Sequence, residues 1–107
     1  MMPPMPPDDE LADLVEQITV DAYGDEGYWS FLQAFEDGVQ FPFAATIAGT
    51  AGVVTKVDFD GDERRGLVAT LERDGEGYTV SLLDIAAPNA PDVVRLLAAY
   101  KRWLGMM

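Results

Sequence analysis

Leu11, Leu14, Val15 and Ile18 recur at i, i+3, i+4 and i+7, with Asp13 and Glu16 on the other side. That spacing predicts one apolar helical face. Asp8 or Asp9 offers an N-cap, and acids in the first turn suit the helix dipole. The helix is expected to run to about Ala22, with Gly24 as a left-handed stop. Tyr28, Phe31, Leu32, Phe35 and Val39 repeat the period, with Trp29 beside the stripe. They predict a second helix, capped by Asp25, running through Asp37 and ending at Gly38. A stripe of this kind reads as core before it reads as a ligand box.

The period then changes. Phe41-Pro42-Phe43 cannot continue a helix, because the residue before proline is pushed to extended geometry. Ala44–Ile47 reads as a strand that enters a loop broken by Gly49 and Gly52. Val53, Thr55, Val57 and Phe59 alternate with Val54, Lys56, Asp58 and Asp60, the period of a half-buried strand. Gly61–Gly66 is a charged turn. Leu67–Arg73 is a second strand, Asp74–Gly77 a hairpin loop and Tyr78–Leu83 a third strand. Asn89 can start a last helix with Pro91 in its first turn. Its apolar face is Val93, Val94, Leu97, Tyr100 and Leu104. The expected fold is α+β: N-terminal helices on a small curled antiparallel sheet or barrel, then a C-terminal helix.

Length bounds this picture to one domain of 107 residues, large enough to bury roughly two thirds of its unfolded surface. The expected division is a flexible Pro-rich leader over 1–8 and a single domain over 9–107. No charged segment followed by an apolar run opens the chain, and no apolar stretch is long enough to span a bilayer, so a cytoplasmic location is expected. There is no cysteine and no histidine. Disulfides, thiol nucleophiles, imidazole bases and the usual zinc and copper ligands go with them.

Charge adds most. The net charge is −12, and residues 1–55 hold ten acids and no lysine or arginine. The later half holds nine acids and seven bases, including Arg95, Lys101 and Arg102 on the last helix. Such a field repels nucleic acid and anionic membranes and attracts divalent cations or a basic protein.

Two clusters can carry that chemistry. The first is Asp58-Phe-Asp60-Gly-Asp62-Glu63, where alternate carboxylates on a glycine turn supply hard oxygens of the type calcium takes six to eight of. An EF-hand loop also needs Gly at its sixth position and Glu at its twelfth; here those are Glu63 and Ala69, so this is not one. A looser calcium site and a solvated tip neutralised by Arg64 and Arg65 both remain open. The second cluster is Asp21, Asp25 and Glu26 at a helix–helix junction, where free backbone carbonyls are further oxygen ligands. There too the acids read equally as a cap and a solvated face. Catalysis would need a carboxylate dyad, which abundant acids do not specify, and the protein is expected not to be an enzyme.

Within Ile18–Ala45 the sequence resembles the cyanobacterial calcium-binding protein family of the CcbP type. The residues that carry the resemblance are Ile18-Thr-Val-Asp21-Ala-Tyr23, the acid Glu26, then Trp29, Phe31 and Leu32, then Phe41-Pro-Phe43-Ala44. The acidic turn, Thr79–Leu83 and Trp103 extend it more loosely, with Ser81 where the family has proline and a shortened Asp25–Tyr28 spacer. The resemblance implies a small α+β protein that binds Ca²⁺ through acidic residues, as a buffer or a signalling sensor. It points to Asp21 and Glu26, and more loosely to the Asp58–Glu63 turn. The candidate metal ligands are therefore Asp21, Asp25, Glu26, Asp58, Asp60, Asp62 and Glu63. The alternative is an acidic interaction module that holds a basic partner without metal.

Overall fold

The computed structural model describes residues 8–20 and 26–105. Residues 1–7 of the expected leader, Asp21 and Asp25 lie outside them, whereas Asp8, placed in that leader, opens the first helix. Helix α1 covers Asp8–Thr19 and α2 covers Glu26–Gly38; strands β1 (Phe43–Ile47), β2 (Thr50–Asp58), β3 (Val68–Arg73), β4 (Glu76–Ser81) and β5 (Ile85–Ala86) follow, then helix α3 (Pro91–Trp103). Leu11 is fully buried on α1, and Phe31, Leu32 and Phe35 are buried on α2, so both stripes face the core as their spacing predicts. Helix α1 ends at Thr19, before the expected Ala22, and Thr19 Oγ1 donates to the Val15 carbonyl at 2.7 Å. Helix α3 starts at Pro91 after Ala90, which makes no side-chain cap, so Asn89 does not play the expected part.

The strands form one antiparallel sheet in the order β4-β3-β2-β1-β5. It is open, which settles the sheet-or-barrel expectation. Its outer strands have six and two residues, and those edges do not pair with each other. One face carries Phe43, Ala45, Val54, Val57, Ala69, Leu71 and Ile85, all buried in the single core cluster. Helix α2 packs on β2 over that face, and α1 lies against both α2 and α3. The other face presents Ala44, Ala51, Val53, Lys56, Asp58, Glu72 and Thr79 to solvent.

The hairpins are tighter than their sequences suggest. Ile47 pairs with Thr50, so the β1–β2 turn is Ala48–Gly49 with φ of 50° and 81°. Gly52 is not in a loop; it lies within β2 opposite Ala45. Arg73 pairs with Glu76, so Asp74–Gly75, with φ of 54° and 83°, is the whole β3–β4 turn. Paired left-handed residues match the strand twist, which is why two residues suffice. The expected third strand ends early, at Ser81, where Oγ accepts from the Leu83 N–H and starts a short 3₁₀ turn, Leu82–Asp84.

Strand β2 does not keep one alternation. Val54 faces Leu71 and Lys56 faces Thr70, so Thr55 is an extra residue, a β-bulge. A strict period of two from the buried Val54 would bury Lys56 and Asp58. The bulge turns both outward and brings Val57 and Phe59 into the core, at 5% and 3% exposure.

Candidate functional site

The segment between β2 and β3 holds three of the seven candidate ligands, and a fourth, Asp58, ends β2. The segment starts at Phe59, whose inward position is set by the bulge. The Tyr28 ring stacks on Phe59 with centroids 4.9 Å apart and planes at 13°, and Trp29 meets the same ring edge-on at 5.0 Å. These contacts dock the first turn of α2 on the acidic turn. Glu26, exposed in that first turn, stands two residues before Tyr28. The structure thus brings the Glu26 end of α2 to the turn through aromatic rings, not through the carboxylates themselves.

Within the turn the acids are occupied by their own backbone. Asp58 Oδ1 accepts from the Phe59 N–H at 2.8 Å, Asp60 Oδ1 from the Asp62 N–H at 2.9 Å, and Asp62 Oδ1 from the Arg64 N–H at 2.9 Å. The Asp62 carbonyl accepts from the N–H groups of Arg65 and Gly66. Asp60 Oδ2 takes a hydrogen bond from Arg65 Nη1 at 3.0 Å, and Lys56 Nζ lies 3.8 Å from Asp58 Oδ2. All these carboxylates are exposed, so each ion pair contributes little in water. Short Asp side chains that bond the amide one or two residues on are what fold a glycine turn of this kind. Among the described residues, no three acids come together closely enough to hold a metal ion.

The far end of the turn is anchored separately. Tyr100 on α3 is buried, and its hydroxyl accepts from the Leu67 N–H at 3.0 Å. Burial pushes the Tyr100 hydroxyl above its ordinary value, partly offset by that N–H. Gly66 has φ of +64°, and a Cβ there would stand 2.5 Å from the Tyr100 oxygen. Between the two ends, the Tyr28 hydroxyl donates to the Glu63 carbonyl at 3.3 Å and is pushed up by burial and then by the Glu63 charge. Tyr28 also meets Trp103 at 4.8 Å, and Trp103 fills the space a Cβ on Gly27 would need.

Sequence spacing read Tyr28 and Tyr100 as members of apolar stripes, which they are. It gave no sign that their hydroxyls hold the acidic turn, because the partners lie 35 and 33 residues away. The one local hint is Gly66, a glycine closing a charged turn. A separate hollow of about 350 Å³, lined by Val39–Phe43 and Ala90–Val93, contains a single carboxylate, Asp92, and none of the candidate ligands.

No family model matches this chain, and no curated protein matches it. Solved structures do. Anabaena CcbP superposes with a TM-score of 0.76 at 23% identity, covering 96% of this chain and 95% of that one. A calcium binding protein in its calcium-binding form superposes at 0.72 with 21% identity, covering 97% and 96%. At such identities the likeness shows a shared fold along nearly the whole chain, the fold that the residues of Ile18–Ala45 imply.

Proposed function

We propose that this chain binds Ca²⁺, as a buffer or a sensor, and catalyses no reaction. The observation that carries the reading is the fold shared over 97% of the chain with a protein that binds calcium. The charge distribution supports it: the half of the sequence that supplies α1, α2 and β1 holds no cationic side chain to compete for its carboxylates. Asp58, Asp60, Asp62, Glu63 and Glu26 would contribute ligands, together with Asp21 and Asp25. The donor set fits a hard cation, being carboxylate and main-chain oxygen without nitrogen or sulfur. Capture would exchange the Arg65 guanidinium on Asp60 for the ion and swing the exposed carboxylates toward it by side-chain rotation, with the backbone path of the turn kept. Acid should compete, since protonated carboxylates are poor ligands.

Thermal melting in EDTA, then with Ca²⁺, then with Mg²⁺ at equal ionic strength tests this. Ca²⁺ at a hundred times its dissociation constant adds roughly 2.7 kcal/mol. For a domain of this size that raises Tm by roughly ten degrees or more. Three superimposable melts would end the calcium reading.

One observation favours a second reading. Asp9, Asp13 and Glu16 on α1 and Glu36 and Asp37 on α2 are exposed on helices that carry no base. Such a surface suits a basic protein held without metal. Its binding would weaken steeply with salt and ignore EDTA.

A further inference from the structure

Tyr28 touches the acidic turn near both of its ends. Its ring covers Phe59, the residue between Asp58 and Asp60, and its hydroxyl reaches the carbonyl of Glu63. Among the described residues, what holds the turn between those points is local: the Asp62 and Arg64 N–H groups donate to Asp60 and Asp62, and Arg65 makes its exposed pair with Asp60. Local bonds of that kind open readily in water. The Tyr28 contacts come from a different element, itself fixed by Trp103 and the buried Phe31.

We infer that Tyr28 is a positioning residue, a clamp that holds Asp58–Glu63 in one conformation before any cation arrives. Its consequence for cation affinity rests on the calcium-binding reading; its consequence for the turn's conformation does not. A turn already ordered pays less entropy when a ligand binds, so releasing the clamp moves that cost into the binding step. The ring supplies the larger part of the hold, because 3.3 Å is long for an O–H···O bond.

The test measures backbone amide exchange by NMR on the full chain in EDTA, for wild type, Tyr28→Phe and Tyr28→Leu. Tyr28→Phe keeps the ring and removes the hydroxyl; Tyr28→Leu removes both. The amides of Asp62, Arg64, Arg65 and Gly66 should exchange about two- to tenfold faster in Tyr28→Phe, the size of one net hydrogen bond. They should exchange faster still in Tyr28→Leu, while the buried Leu97–Ala99 amides of α3 keep wild-type protection in Tyr28→Phe. If Tyr28→Leu does not fold, Tyr28→Phe alone carries the comparison. Calorimetric titration with CaCl₂ should show affinity falling in the same order. Unchanged exchange at those amides overturns the clamp, whatever the chain binds. Faster exchange with Ca²⁺ affinity unchanged overturns the positioning role. A wild type that takes up no Ca²⁺ sinks the calcium reading, and the exchange result still decides the clamp.

Discussion

Gly66 turns through a left-handed conformation directly beneath the hydroxyl of Tyr100, with room for hydrogen and nothing larger. Two demands meet at one residue: a positive φ of 64° and a close approach to a buried oxygen already bonded to the next amide. Gly66→Ala should therefore cost about 2–4 kcal/mol, combining left-handed strain with overpacking. Urea denaturation would measure it. A variant as stable as wild type would mean that the turn can slide away from α3.

Tyr100→Phe isolates the other half of that relationship. The ring stays in the core, and the Leu67 N–H loses its acceptor in a buried place. The expected loss is about 1–3 kcal/mol, the cost of an orphaned buried donor. Equal stability in chemical denaturation would mean that water reaches that amide.

The same hydroxyl gives stability a pH dependence. Its value is raised in the folded state above the ordinary 10.0. The unfolded chain thus loses this proton first as pH rises, and unfolding is favoured. The contribution is full below pH 10 and disappears as pH climbs through the folded value. Melting temperatures between pH 9 and pH 11 should fall more steeply in wild type than in Tyr100→Phe. Parallel slopes would remove Tyr100 from the account.

Gly27→Ala tests a sign. Helix propensity alone predicts a gain of about 1 kcal/mol for replacing a helical glycine. Trp103 occupies the space the methyl needs, so the ring must move. We expect a net loss of about 1–3 kcal/mol, the usual cost of overpacking. Tryptophan emission should shift red as Trp103 leaves its place against Tyr28 and Phe31. A more stable variant with unchanged emission would contradict this packing.

Asp60→Asn separates stability from binding. The amide oxygen can still accept from the Asp62 N–H, and only the exposed pair with Arg65 is lost. Stability in EDTA should change by less than about 1 kcal/mol. Ca²⁺ affinity should fall clearly, since a charged ligand becomes neutral. Unchanged affinity in titration would take Asp60 out of the ligand set.

What the sequence made readable follows from range. The stripes of α1, α2 and α3 are local, repeat every three or four residues and point to the core as read, save that on α3 Leu96 and not Val94 packs against it. The strands were readable as segments, but their bounds were not. Gly52 reads as a breaker yet pairs with Ala45, and Glu76 and Gly77 read as loop yet extend β4. Partner strands supplied those hydrogen bonds, and a single strand's residues carry no mark of them. The acidic turn was visible as chemistry, but its support was not. Phe59 looks like an ordinary inward residue until Tyr28, 31 positions earlier, is seen lying on it.

The bulge at Thr55 has a consequence that reaches past the sheet. It splits β2 into two short runs whose phases are independent: the first is timed from the Ala48–Gly49 turn, the second from Thr55 itself. Phe59 belongs to the second run. Were Thr55 paired like its neighbours and the bulge closed, Lys56, Asp58 and Phe59 would reverse their facing together, so that the aromatic seat under Tyr28 and Trp29 would be offered a carboxylate. The orientation of the whole acidic turn is thus written one strand earlier, in a single unpaired threonine.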